Sequence, residues 1–439
     1  MPDDTIPDGT HDDARGPEPG PDATPPVGTP SITGDEPAAI QGSGDPTAVE
    51  GAVAEALAAG AGGDAGAGAP ETDDGPRHAK QSKIGRTWVI AIVAAVVILA
   101  GAGIAVAVSS GGKKPKPKAA PTTHPSSATM IPAAAGPVCP LTGLPAPGGQ
   151  VPQRPALAFK VDNYPAARPQ AGLDDADIVY EDVVEGGITR FVAVFQCKEA
   201  PLVGPIRSAR AVDVPILDQL SKPLFVHAGG INPVIALVND GDLINDDVFT
   251  HASIIQHPAG RYAPYDTYAS TSAAWGLNPI DTTPPAPVFT YSSTVPTGTP
   301  VGSISIPFSG TNDNNWTWSP YNGAWLLSIS GTPANVANGT RIGVANIVVQ
   351  TVHVTLGPWL ENSEGGLEVQ SQLVGSGPLQ VYRNGELIAG TWQRASLSDA
   401  TSLVAADGST IALDPGKTWV ELVPTYIPVT YKAPVAGTP

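Results

Sequence analysis

Twenty-one consecutive residues without a charge, Trp88 to Val108, divide this chain of 439 residues. At a rise of about 1.5 Å per residue, a helix of that length spans about 30 Å, the thickness of the hydrocarbon core of a bilayer. A cleaved secretory signal sits at the start of a chain and has a shorter apolar core, whereas this run starts at residue 88. The pattern predicts a retained single-pass transmembrane helix over 87–108. Whatever precedes it must then lie on one side of a membrane and whatever follows on the other.

The flanking compositions agree with that division. Residues 1–76 hold 16 acidic residues against one base, Arg15, and no aromatic residue. Such a stretch cannot bury enough apolar surface to offset the ~1–2 kcal/mol per residue that ordering a backbone costs. Residues 1–86 therefore read as a disordered acidic tail ending in a basic juxtamembrane patch of Arg77, Lys80, Lys83 and Arg86. Residues 109–138, rich in Lys and Pro and then in Ala, Pro, Ser and Thr, read as an extended stalk. Residues 119–439 carry a net charge of −11, which excludes a generally basic nucleic-acid binder.

Orientation does not follow from charge, because four bases flank the run on each side. The two cysteines, Cys139 and Cys197, both lie beyond it. Their even number permits one disulfide in an oxidising compartment, with two buried thiols as the alternative. Cys139 stands about 30 residues past the apolar run, so it does not read as a lipid-attachment cysteine.

Residues 139–290 predict an α/β domain. Ala156 to Val161, Asp177 to Val184, Phe191 to Phe195 and Leu224 to Val226 are short apolar runs suited to buried strands. Asp213 before Val214-Pro215 and Asn232-Pro233 before V-I-A-L-V signal helix starts. Residues 300–424 predict a mostly antiparallel β domain. Val348 to Leu356 reads as one strand, and Asn384-Gly385 and Asp407-Gly408 read as hairpin turns. A Pro/Thr/Ser-rich connection, Asp281 to Pro300, marks the boundary.

The residues best placed for chemistry lie in G-P-I-R-S-A-R, Gly204 to Arg210. Arg207 and Arg210 at a strand end can converge on one anion, whose planar oxygens suit the guanidinium fork. Ser208 lies between them but lacks the glycine-flanked elbow of a serine hydrolase. His227 ends a strand that runs into Gly229-Gly230 and a helix start, where backbone N–H groups favour anions. The bland alternative pairs the arginines with Glu181, Asp182 or Glu185 and buries His227 as a structural residue. Asp240-Gly241-Asp242 with Asn245-Asp246-Asp247 lacks the ligand spacing of a calcium loop, and His251 and His257 lack a third zinc ligand. No metal is therefore assigned; no Walker-type or dinucleotide-binding glycine pattern occurs, and the sequence names no cofactor. Trp316, Trp318 and Tyr321 offer either a sugar-stacking surface or ordinary packing.

Several motifs in one order carry a resemblance. They are C-P-L-T-G-L, R-P-A-L-A-F-K-V-D-N-Y-P-A-A-R-P-Q-A-G-L, A-D-I-V-Y-E, E-G-G-I-T-R-F, G-P-I-R-S-A-R and H-A-G-G. Further on come N-I-V-V-Q, G-S-G-P-L-Q-V-Y-R-N-G and L-D-P-G-K-T-W. Together they resemble the YerB-like family of bacterial envelope proteins, over both of its domains, across about 139–424. Members are typically outward-facing lipoproteins of Gram-positive cells, which implies an extracellular C-terminal part and a cytoplasmic tail. One departure stands out: where the family has an alanine-proline-histidine-asparagine run, this chain reads Ala263-Pro264-Tyr265-Asp266.

The resemblance brings no known reaction. The sequence thus supports a membrane-anchored extracellular envelope protein that binds an anionic envelope polymer or lipid near Arg190, Arg207, Ser208, Arg210, His227, Gly229 and Gly230, or that scaffolds other envelope proteins. The rival is a phosphotransferase on polyprenyl-linked phosphates. It rests on a more distant similarity to the LytR-CpsA-Psr enzymes, in which Asp177, Arg207 and Arg210 take the places of an aspartate and two arginines.

Overall fold

The computed structural model describes residues 136–361 and 365–435. The acidic tail, the membrane span expected over 87–108 and nearly all of the stalk lie outside the described residues. Among the described residues no helix is long and apolar enough to cross a membrane.

The described chain is mostly β. Its N-terminal segment supplies β1 (Leu157–Asp162), β2 (Ile178–Val183), β3 (Thr189–Phe195), β4 (Leu224–His227) and β5 (Ile244–Asp247). Every residue of β1 to β4 is buried, as the near-continuous apolar runs require. Only three short α-helices accompany them, α1 (Asp213–Leu217), α2 (Asn232–Asp240) and α3 (Thr271–Trp275). The expected α/β layering is therefore reduced to a strand-dominated one. The helix-start signals are followed by short apolar runs, so the helices they open stay short; α1 continues to Leu220 as a 3-10 turn and is ended by left-handed Ser221 and Lys222. Neither Asp213 nor Asn232 caps its helix with its side chain; Ile231 precedes α2, and Asp213 lies inside α1.

The C-terminal segment supplies β6 (Thr299–Pro300), β7 (Ser303–Ser309), β8 (Asn312–Ser319), β9 (Ala324–Ile329), β10 (Thr332–Pro333), β11 (Gly343–Val344), β12 (Asn346–Val352), β13 (Val354–Leu360), β14 (Leu367–Ser371), β15 (Gly375–Arg383), β16 (Glu386–Arg394), β17 (Ser402–Ala405), β18 (Thr418–Pro424) and β19 (Thr430–Lys432). The run expected as one strand over 348–356 is split at His353 between β12 and β13, which belong to different sheets. Asn384-Gly385 does turn the β15–β16 hairpin, both residues having positive φ (52° and 76°) as that tight turn demands. After β17, Asp407-Gly408 makes a shorter turn closed by a single bridge, Val404 to Thr410.

The two segments share one sheet. Its order is β17-β16-β15-β12-β18-β2-β3-β1-β4-β5, with β6 beside β16. The join is β18 against β2, a parallel pairing that sets Thr418, Trp419, Val420 and Glu421 opposite Ile178, Val179, Tyr180 and Glu181. A second sheet, β10-β9-β8-β7-β19 with β11 on β9, packs over one face. Trp316 of that sheet meets Trp419 edge-on at 5.4 Å, and Trp419 meets Phe191 at 5.1 Å, so an aromatic column fills the space between the layers. Trp316 is completely buried and Trp318 packs on Trp325, which leaves Tyr321 as the exposed member of the three proposed for sugar stacking.

Candidate functional site

Strand alternation sorts the charged residues. Asp162, Arg190 and Asp182 are register partners across β1, β3 and β2, and Lys160 lies two residues before Asp162. Period-two geometry places all four on one face of the sheet, opposite to the face that carries Glu181 and Phe191. The segment Gly204 to Arg210 crosses the ends of these strands. It is sewn there by Arg207 N–H to the Lys160 carbonyl, Ala228 N–H to the Arg207 carbonyl and Ala209 N–H to the Gly229 carbonyl.

Arg190, Arg207 and Arg210 do converge, and each meets a carboxylate. Arg210 grips Glu185 with two nitrogens, Nε at 2.8 Å from Oε2 and Nη2 on Oε1. Its Nη1 lies 3.3 Å from Glu361 Oε2. Arg190 donates through Nη1 to the Ser208 carbonyl at 2.9 Å and lies 3.6 Å from Glu185 Oε1. Arg207 Nε stands 2.7 Å from Asp162 Oδ2, at an angle too bent for a hydrogen bond. Behind them Lys160 Nζ reaches Asp213 Oδ1 at 2.6 Å and Asp182 Oδ1 at 3.0 Å, while Asp213 Oδ2 accepts the Arg210 backbone N–H at 2.7 Å.

The electrostatics follow from this crowding. Burial works to raise the Glu185 carboxyl, but Arg190 and Arg210 pull it down to about 2. Asp182 goes the other way: burial, helped by Asp213 and opposed by Lys160, lifts it to about 6. Burial lifts Glu361 to about 7 against the pull of Arg210. The cluster is thus a nearly compensated network in which most positive charge is already spoken for.

Its exposed edge is different. Arg207 keeps 29% of its side chain accessible, against 4% for Arg210 and 5% for Arg190. Its guanidinium lies 5.9 Å from the centre of the Tyr265 ring, which stacks parallel on Tyr164 at 6.1 Å. Asp162 ties this edge together, since its Oδ1 accepts the Tyr164 N–H at 2.9 Å while its Oδ2 faces Arg207. Tyr265, the first of the two residues at which this chain differs from the expected run, therefore sits against the arginine motif.

The other expected residues lie elsewhere or are engaged. His227 is fully buried beneath the Gly229-Gly230 turn, with Nδ1 2.9 Å from the Gly229 carbonyl and Nε2 2.7 Å from Asn245 Oδ1. Gly229, at φ +67°, donates its N–H to Asp247 Oδ1 at 3.2 Å. Gly230 is exposed. Asp246 and Asp247 of the acidic loop spend their carboxylates on the Asn278 amide and on the Gly229 and Phe249 N–H groups. Asp177 stands five residues along the chain from Asp182, about 16 Å away at strand rise. There its Oδ2 accepts the Gln196 and Cys197 N–H groups. It does not share a site with the arginines. Cys197, next to it, is bonded to Cys139.

Sequence reasoning missed Lys160, Asp162, Glu361 and Glu368. The alternation in K-V-D places the first two on one face and is a readable signal. Glu361 and Glu368 are delivered by the β13–β14 ribbon, with Glu368 Oε1 accepting the Ala211 N–H at 3.1 Å, and no local pattern announces that.

Comparison with known proteins agrees with this architecture. Residues 141–279 match the N-terminal domain, and residues 304–420 the C-terminal domain, of the family described as "Protein of unknown function (DUF3048)". The chain is 28% identical over 297 residues, 65% of its length, to "Putative lipoprotein YerB" of Bacillus subtilis (strain 168), of which it covers 86%. The crystal structure of YerB from Bacillus subtilis superposes with a TM-score of 0.57 at 24% identity, over 67% of this chain and 99% of that one. With both domains of one family matched in order and the fold shared, the chain belongs to the YerB-like, DUF3048 family.

Proposed function

We propose that this is a membrane-anchored extracellular protein of the cell envelope, and that its N-terminal segment holds an anionic envelope ligand on the edge formed by Arg207, Tyr265 and Tyr164. The observation that carries this reading is the exposure of Arg207: of the three converging arginines, it alone keeps substantial contact with solvent. Stacked tyrosines beside a guanidinium offer a flat apolar surface next to a cation, suited to a ligand with an acidic group on a ring or chain. Ser208 lies next to it, while Arg190 and Arg210 hold the loop in place through Glu185 and the Ser208 carbonyl. A relative described by name as a lipoprotein is consistent with an envelope location.

The transferase reading draws no support from the geometry, because Asp177 is at the far end of β2 from the arginines. The test is a titration of the full chain in detergent with polyprenyl phosphates and with anionic wall polymers. Arg207→Ala is run in parallel. Saturable binding that drops at least tenfold in the variant supports the reading. Equal binding by both proteins would sink it, and the search would move to protein partners of the C-terminal segment.

A further inference from the structure

The pairing that joins the two segments also sets two glutamates side by side. Glu421 on β18 and Glu181 on β2 are register partners in parallel strands, so their side chains leave the same face, toward the second sheet. Neither exposes any surface to water. The row continues into Val349 on one side and into Phe191 and Val161 on the other.

The groups that meet the pair are nearly all neutral. Glu181 Oε1 accepts from Thr189 Oγ1 at 2.6 Å and from Asn163 Nδ2 at 3.4 Å. Its Oε2 accepts from Asn314 Nδ2 at 2.8 Å and from Trp419 Nε1 at 3.1 Å. Glu421 Oε1 accepts from Trp316 Nε1 at 2.7 Å and from the same Asn314 amide at 3.3 Å. Thus β3, β8, β12 and β18 present threonine, asparagine, tryptophan, valine and phenylalanine. The charged group facing Glu181 is Arg168, from the loop after β1. Its nitrogens are directed to Asn163 and to the Thr311 carbonyl. Among the described residues neither glutamate has an ion-pair partner within 4 Å.

Both carboxyl groups turn to one amide nitrogen, Asn314 Nδ2, at 2.8 Å from Glu181 Oε2 and 3.3 Å from Glu421 Oε1. Two register-paired carboxyls that are fully buried, share one amide donor and lack an ion-pair partner strongly disfavour double ionisation, so one of them keeps a proton. We propose that Glu181 and Glu421 hold one proton between them and so form a pH-sensitive clasp across the seam of the two family segments. Burial favours the neutral form of each, and for Glu421 the neighbouring Glu181 adds to it. A carboxyl that is harder to ionise in the folded chain contributes stability below its unfolded value, about 4.3, and loses it as pH rises through its folded value.

Two measurements on the full chain test this. Infrared spectra at about pH 8, where ordinary carboxyls are ionised, would show a protonated-carboxyl stretch that weakens in Glu421→Gln. Denaturant unfolding from about pH 5 to about pH 9 would show wild type losing folded population relative to Glu421→Gln, by at least about tenfold in the folding equilibrium constant. The amide keeps a donor toward Glu181 and cannot ionise. Absence of the infrared band in wild type would overturn the proposal, as would parallel pH profiles of the two proteins. Should Glu421→Gln not fold, Glu181→Gln provides the same comparison and the wild-type spectrum still decides.

Discussion

Lys160 and Asp213 meet at 2.6 Å between Nζ and Oδ1, with neither side chain in contact with water. The ammonium also reaches Asp182 at 3.0 Å, so one buried cation ties β1, β2 and the start of α1. Removing one partner of such a group leaves uncompensated charge in a dry interior. Lys160→Ala is expected to lower unfolding stability by about 3–5 kcal/mol, read by urea denaturation. Lys160→Met with Asp182→Asn and Asp213→Asn together should recover much of that loss, since the orphaned charges go with the lysine.

Arg207 and Arg210 lie three residues apart yet should respond differently to truncation. Arg210 is held by Glu185 and Glu361 and is buried, so Arg210→Ala should cost about 3–5 kcal/mol. Arg207 is partly exposed and forms a single bent ion pair, so Arg207→Ala should cost about 1 kcal/mol or less. Thermal or urea unfolding of the two single variants checks this. A ligand test that removed both arginines would confuse binding with folding, and Arg207 is the informative substitution.

The pH response has two sides. Burial raises Asp177 to about 6, so its protonated form is favoured in the folded chain. Its contribution is full below the unfolded value and is lost as pH rises to about 6, a change of about 3 kcal/mol by linkage. Asp177→Asn should therefore match wild type near pH 4 and exceed it near pH 7, because the amide oxygen still accepts the Gln196 and Cys197 N–H groups. Glu185, pulled down to about 2 by its arginines against its burial, acts in the opposite sense. Its contribution is present above the unfolded carboxyl value and is lost as pH falls toward about 2, so Glu185→Gln should blunt the acid-side loss.

The bond between Cys139 and Cys197 closes a loop of 58 residues. Chain-entropy arguments give such a closure about 4 kcal/mol of stabilisation, less any strain. Reduction, or Cys139→Ser with Cys197→Ser, should lower the unfolding free energy by up to that amount. Alkylation before and after reduction, followed by mass measurement, reports the bond directly.

How far these features could be read in advance depended on how local their causes are. The apolar runs of β1 to β4 announced themselves because both faces of those strands are covered. Asn384-Gly385 announced a hairpin because few other pairs tolerate two positive φ angles. Arg207 and Arg210 were legible as near neighbours in one motif, whereas Arg190 reaches them through the register of β1, β3 and β2 and the bonds that sew 204–210 in place. The share of helix in the fold was overestimated: the stretch opened at Asp213 does run to Leu220, but only as five α-helical residues and a 3-10 turn, because a start signal says nothing about how much helix will cover the sheet.

The sequence by itself determined the strand runs, the turns and the charge types that gather at strand ends, because each depends on the conformational preferences of a few neighbouring residues. Tertiary structure alone decided that β18 lies beside β2, that Glu361 and Glu368 arrive at Arg210 and Ala211, and that Glu181 is paired with Glu421 while Glu185 takes the arginines. Apart from the Glu185 pairing, which spans 25 residues or fewer, those choices are made between segments well over 100 residues apart, where the burial of complementary faces, and no local propensity, selects the partner.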